Sequence, residues 1–255
     1  AALDTGDAIT ASMPTAAQFS AFVPIGRSLS GNLLGTKANL KAMGFTGLDG
    51  SFGANDATIN FSTTFSFDYD NSNGVTAGFM DFETVAIHEI GHALGFVSIV
   101  DSVNAGMTSI SPFALDLFRF GNNTAADPNT AADFTTFARN LVPGVDAVTD
   151  QITGTTTEWR MSTGLTNASF AGTDGRQASH WKADELTGLY IGMMDPTLSL
   201  GVVQALTDAD FRSLDLIGYE VSASIPESLS TLSALAFLLA GLGIHRRHQA
   251  FKARL

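Results

Sequence analysis

No cysteine occurs in the 255 residues. That single absence removes disulfides, thiolate metal sites and any cysteine nucleophile. It leaves the compartment open, because exported bacterial chains are often free of cysteine too. Charge is scarce as well. Only 15% of residues are charged, and 13 basic residues face 25 acidic ones, for a net charge of −12 and a pI near 4.6. So acidic a body argues against nucleic acid or an anionic membrane surface as its partner. No initiator methionine and no charged-then-apolar leader stands at Ala1-Ala2-Leu3-Asp4, so either a signal peptide has been removed or the sequence is a fragment. Internal repeats are absent. Against these absences, 45% of residues are apolar. That and the length suit one good-sized folded domain, or two lobes sharing a cleft.

The basic residues are unevenly placed. Residues 1–224 carry nine of them against 24 acids, whereas Arg246, Arg247, Lys252 and Arg254 stand in the tail against Glu227 alone. The tail opens on Pro226-Glu227 and continues with an uncharged, mostly apolar run over 229–244, closed by His245-Arg246-Arg247-His248. That run is slightly short of the roughly 20 residues of a bilayer span. Its basic end would stay cytoplasmic by the positive-inside rule. A C-terminal helix packed on the core is the plainer reading; the Pro-Glu opening and the arginine pair argue against it.

Within the body, "GTKANLKAMGF" (35–45) reads as a short helix closed by Gly44. In "ATINFSTTFSFDYD" (57–70), Ile59, Phe61, Phe65, Phe67 and Tyr69 all fall on odd positions, which predicts a strand with one buried face. Such a strand is a candidate edge for an extended peptide to pair with. "NSNG" (71–74) is a turn cluster. Asp81 is placed to cap a helix through "FETVAIHEIGHAL", with Glu83 in its first turn and Gly95 at its end. An apolar strip, "SPFALDLFRF", leads into a Thr/Ala/Asn/Asp-rich region from 121 to about 176, read as an irregular insertion with short elements. "TDADFRSLDLIGYEV" (207–221) predicts a capped helix running into a strand.

The chemistry concentrates in His88-Glu89-Ile90-Gly91-His92. Histidines four apart on a helix project from one face, so both imidazoles can be directed at one point. Neutral imidazole binds Zn²⁺, and a catalytic zinc takes three protein ligands and keeps a position for water. Glu89, adjacent to the first ligand, is placed as general base and acid. The pattern on a helix is among the more specific short motifs. A chance occurrence on a core helix is the bland alternative. Histidine counting opposes it: two of the five histidines lie in the basic tail, leaving His88, His92 and His180 in the body.

The third ligand is not where a compact His-Glu-x-x-His-x-x-Gly-x-x-His/Asp motif would put it. Gly95 fits the glycine, but position 98 is Ser98, a poor zinc ligand. Asp101 is a possible substitute, three residues too late. No glutamate occurs between Glu89 and Glu158. His180, in "QASHWKADE", is chemically the better candidate and requires an 84-residue insertion after Gly95.

On these residues the sequence resembles the leishmanolysin group of metzincin zinc metalloproteases, in which a long insertion displaces the third histidine. "HEIGHALGF" resembles the group's helix and "SHWK" its last-histidine segment. "IGMMDP" (191–196) resembles its Met-turn, with Met194 as the better candidate for the methionine beneath the metal and Met193 second. "FALDLFRF", "ASHWKAD", "MMDPTLSLG" and "FRSLDLIGYEV" resemble a bacterial branch of exported metalloproteases. The tail is similar to the Pro-Glu-Pro (PEP-CTERM) sorting signals read by exosortase enzymes of Gram-negative bacteria, with Ser228 in place of the second proline. Pro196 stands where some metzincins carry a tyrosine, and without cysteine no cysteine switch is possible.

The resemblance implies an α+β, two-lobed zinc protease. The upper lobe, to about residue 95, would hold a twisted mixed sheet and the active-site helix. The lower lobe, 96–224, would be irregular, with the insertion before the third histidine. Residues 225–255 would form a sorting and membrane-anchor segment. One catalytic Zn²⁺ held by His88, His92 and His180, with Glu89 as base, would hydrolyse peptide bonds of proteins outside the cytoplasm, at the periplasm, cell surface or beyond. An exosortase-type enzyme is the implied processing partner. The alternative is a catalytically silent, zinc-bearing surface or matrix protein on the same scaffold; the intact Glu89 argues against it. Trp181 reads as a packing residue beside the ligand.

Overall fold

The computed structural model describes residues 12–121, 128, 130–149 and 159–221. The tail segment 225–255, expected to be a sorting and membrane-anchor segment, lies outside the described residues. Among those described, no helix is long and apolar enough to cross a membrane.

The architecture is mixed α/β with small sheets. Its helices are α1 (Lys37–Ala42), α2 (Leu48–Phe52), α3 (Phe82–Leu94), α4 (Val100–Asn104), α5 (Ala131–Thr136), α6 (Asp184–Thr187) and α7 (Asp208–Leu216). The strands are β1 (Ala21–Phe22), β2 (Ser28–Leu29), β3 (Phe67–Asp68), β4 (Met80–Asp81), β5 (Ser109–Ile110), β6 (Arg119–Gly121), β7 (Arg139–Asn140), β8 (Ala147–Thr149) and β9 (Trp159–Met161).

The longest helix, α3, is specified locally at both ends. The Asp81 carboxylate accepts the Thr84 amide at 2.9 Å, satisfying a donor that has no partner within the helix. Glu83 lies in the first turn, where its charge suits the helix dipole. At the other end Gly95 is left-handed, φ 118°. Its amide bonds His92 O at 3.1 Å and the next amide, Phe96, bonds Gly91 O at 3.0 Å, the paired bonds of a Schellman turn. A Cβ at Gly95 would also press on Asn39. Asn39 sits in the corner between α1, α3 and the end of α7. It is 1% exposed and its side-chain amide donates to Ile217 O at 2.8 Å. The helix α1 is capped by Thr36, ends ahead of Gly44 as its sequence indicates, and packs against α3.

Three two-residue pairs are parallel: β1 with β7, β2 with β5, and β3 with β4. Two of them join residues before 95 to residues after it, so the hydrogen bonding does not respect a boundary near 95. Among the described residues up to 95 there is no larger sheet. The largest one, antiparallel in the order β6-β8-β9, joins the end of the apolar strip to two strands from the region read as an irregular insertion. Its strands are short, and Ala147, Val148 and Thr149 are all buried.

The strand expected over 57–70 is a correction. Only Phe67–Asp68 is strand, and Phe65 and Tyr69 are 57% and 74% exposed, so no edge strand of that length is there for a peptide to join. The odd-position aromatics instead gather on the first residue of α3. Phe61, Phe67 and Tyr69 lie 4.9, 5.5 and 4.8 Å from the Phe82 ring. Alternation selects a side of the chain; here a ring cluster uses that side without a ladder. The strand expected after α7 is also absent. Tyr219 is buried there and its hydroxyl donates to Leu94 O at 2.8 Å, tying the end of α7 to the end of α3.

The main core contains Phe96, Phe118, Phe120, Phe134, Trp181, Met194, Leu216 and Ile217. A smaller one, with Ile99, Val100, Val103, Ile110, Leu141 and Ala178, lies beside α4. The segment 178–181 spans both, since Ala178 belongs to the smaller and Trp181 to the larger.

Candidate metal centre

His88 and His92 sit one turn apart on the same face of α3, and the fold brings His180 to them across 88 positions of chain. The three Nε2 atoms lie 3.1, 3.1 and 3.2 Å from one another. Each Nδ1 faces a backbone carbonyl: Met193 O at 2.9 Å for His88, Phe96 O at 2.8 Å for His92 and Gln177 O at 3.1 Å for His180. A carbonyl only accepts, so each Nδ1 carries the proton and each Nε2 turns a lone pair inward. Three lone pairs converging at this distance repel unless a cation lies among them. An ion with bonds of about 2.0–2.1 Å and tetrahedral angles needs nitrogens about 3.3–3.4 Å apart, close to the spacing found. The three histidines can therefore hold a metal ion, and they are the one such cluster among the described residues.

Burial reinforces this protonation state. It pushes the His180 ring down to about 3, helped by the positive charge that His92 and His88 would carry. It lowers His92 too, with His88 adding to the effect. At neutral pH the inward nitrogens of His92 and His180 are thus free to bind. Glu89 follows His88 on α3 and is half-buried. Its charge acts on the His92 ring, and no hydrogen bond ties the carboxylate down among the described residues.

Beneath α3 runs a turn, 192–195, closed by Asp195 N on Gly192 O at 2.9 Å. Met194, 3% exposed, packs its sulfur where a side chain at Gly91 would stand; a Cβ there would overlap Met194 Sδ. The two methionines have separate parts: Met193 gives its carbonyl to His88, and Met194 fills the floor under Gly91. Trp181, expected to pack only, does more. It is fully buried against Phe96, ring centroids 4.8 Å apart, and its indole N–H donates to Asp210 at 2.9 Å.

Neither Ser98 nor Asp101 belongs to the cluster. The Ser98 amide donates to Ser179 Oγ at 2.9 Å and its hydroxyl to the buried Asp116 at 2.6 Å. The Asp101 carboxylate accepts the amides of Ala178 and Ser179 at 2.6 and 3.0 Å, and the Ser179 hydroxyl. Both residues hold the loop that presents His180. Buried Arg119 helps from below, donating to Ser162 O at 2.8 Å and Ala178 O at 3.3 Å. Sequence reading missed Asp210 and Gly91. Asp210 was visible only as the third residue of the α7 capping box, where it accepts Thr207 N at 2.9 Å; nothing local announced its other partners. Comparison with known protein families, with curated proteins and with solved structures finds no match to this chain.

Proposed function

We propose that this chain is a zinc-dependent metalloendopeptidase of the leishmanolysin-like metzincin kind. The observation that carries the reading is the convergence of three Nε2 atoms within 3.1–3.2 Å, with every Nδ1 on a carbonyl. Glu89 on the same helix, its carboxylate without a hydrogen bond among the described residues, completes it. Three neutral imidazoles form the donor set of a catalytic zinc. Bound there, zinc supplies Lewis-acid chemistry, polarising a scissile carbonyl and acidifying a water.

The chain's own residues do the rest. His88, His92 and His180 hold the ion through Nε2. The carbonyls of Met193, Phe96 and Gln177 fix each ring's tautomer and orientation and raise its basicity. Glu89 takes the proton from the attacking water and returns it to the leaving amine, leaving the carboxylate ready for the next turnover. Met194 under Gly91 supports α3 from below. The two-lobed arrangement, export from the cytoplasm and exosortase-type processing belong to the same proposal and rest on the sequence of the body and tail.

The test uses the full chain. Wild type should bind one zinc and cleave an unfolded protein substrate. Glu89→Gln should keep the zinc and lose roughly 10²–10⁴-fold in cleavage rate. A wild type that binds zinc without cleaving supports the silent scaffold protein instead. A wild type that binds no zinc overturns the reading.

A further inference from the structure

Nothing in α3 determines where the His180 ring falls, because that ring arrives on a loop 88 positions away. The loop is gripped on both flanks of the histidine. On its N-terminal flank the Asp101 carboxylate takes the amides of Ala178 and Ser179 and the Ser179 hydroxyl. Ser179 Oγ in turn accepts the Ser98 amide at 2.9 Å. On the C-terminal flank Asp210, 3% exposed, accepts the Trp181 indole N–H at 2.9 Å. Asp210 also accepts the amides of Met193 at 2.8 Å and Met194 at 3.4 Å, and the Trp181 amide donates to Met194 O at 2.9 Å. The second carboxylate therefore locks the His180 loop to the turn that orients His88 through Met193 O.

Both clamps need a carboxylate rather than a polar side chain of the same shape. Each uses both oxygens as acceptors, which a carboxylate alone among side chains of this shape can do. An asparagine would keep one acceptor and set an NH₂ group against an N–H. We propose that Asp101 and Asp210 are positioning residues for the third ligand, two clamps that set His180 against the His88–His92 pair and thereby set the metal affinity. The inference rests on the metal-centre reading above.

The full-length protein tests it through Asp101→Asn and Asp210→Asn, with Ser179→Ala and Trp181→Phe as lighter changes that keep the carboxylates and remove one donor each. Three quantities are read: Zn²⁺ affinity by chelator competition, the visible spectrum of the Co²⁺-loaded protein, and the melting temperature of the metal-free protein. Zinc affinity should fall roughly 10–100-fold in the asparagine variants, the range for groups that orient metal ligands, with altered Co²⁺ bands. The lighter variants should fall less, in the same direction. Where an asparagine variant does not fold, its lighter partner decides. Folded variants with lower melting temperatures but wild-type zinc affinity and Co²⁺ spectra overturn the inference and leave the metal centre standing. A wild type that binds neither ion overturns both.

Discussion

The helix that carries His88 and His92 and the loop that carries His180 deliver the same imidazole to the same point by opposite means. On α3 the two rings are placed by helical geometry, one turn apart, and the helix is fixed by Asp81 at one end and Gly95 at the other. All of that lies within fifteen consecutive residues. The loop has no such frame. Its position comes from hydrogen bonds between residues 77 to 81 positions apart, through Asp101 and Ser98, and from Asp210 on α7. Two helical ligands share the cost of ordering one helix, whereas a loop ligand needs its own polar network. The position where a compact motif would carry the third ligand is not idle here: Ser98 holds the loop that brings the ligand from elsewhere.

The comparison breaks first, and by the largest amount, through pH. In the metal-free protein the His180 ring is pushed from 6.5 to about 3, chiefly by burial, and His92 is lowered as well. A lowered pKa means that the unfolded chain binds protons which the folded chain refuses. Stability is therefore fully present above about 6.5 and is lost as pH falls towards 3. The slope approaches about 1.4 kcal/mol per pH unit for each such group. Denaturant midpoints of the metal-free protein from pH 7 downwards should follow it, and His180→Gln should flatten it. An unchanged slope in that variant would mean that bringing the loop ring to the helix carries no electrostatic penalty.

Next in size is Gly91→Ala, where the two regions predict opposite signs. By helix propensity alone, alanine in place of glycine stabilises α3 by about 1 kcal/mol. Against this, the new Cβ overlaps Met194 Sδ, and overpacking a filled site costs about 1–3 kcal/mol. The neighbouring cavity, lined by Ile87, Gly91, Met194 and Leu214 among others, is about 20 Å³, room for about one water and too little for a displaced thioether. The expected outcome is a net loss of up to about 2 kcal/mol with weaker zinc binding, since the turn that moves also carries Met193 O. A more stable protein would show that α3 is set by its own sequence and that the turn beneath merely follows.

The same division explains what could be read beforehand. The cap at Asp81, the end at Gly95 and the His88–His92 pair are short-range features, and each stands where its local chemistry indicates. Counting histidines pointed to His180, and the fold brings its ring to the other two. Illegible were the features whose partners lie far along the chain. The alternation over 57–70 named a shared side but not what lay on it, which is Phe82 and not a strand. Strands β8 and β9 are three residues each, too short to show an alternation within the Thr/Ala/Asn/Asp-rich stretch around them. Asp101 was weighed as a ligand because only its spacing was visible; its three donors from Ala178 and Ser179 were not.

The smallest effect belongs to the purely local element. Asp81 serves the first turn of α3: its carboxylate accepts the Thr84 backbone amide at 2.9 Å, the Thr84 hydroxyl at 2.6 Å and the Asn71 side-chain amide at 2.9 Å. Asp81→Ala leaves the two Thr84 donors without that acceptor and should lower stability by about 1 kcal/mol, within the 0.5–2 kcal/mol usual for a lost cap. The change would be read as a shifted denaturant midpoint at constant slope. His88 and His92 stand on later turns, held by the carbonyls of Met193 and Phe96, so zinc affinity should stay at the wild-type value. The prediction separates two kinds of support for the centre. Frame residues such as Asp81 change how often the fold is present, and clamp residues such as Asp210 change what the folded protein can bind. An Asp81→Ala protein that folds yet binds zinc as weakly as the clamp variants would erase that distinction.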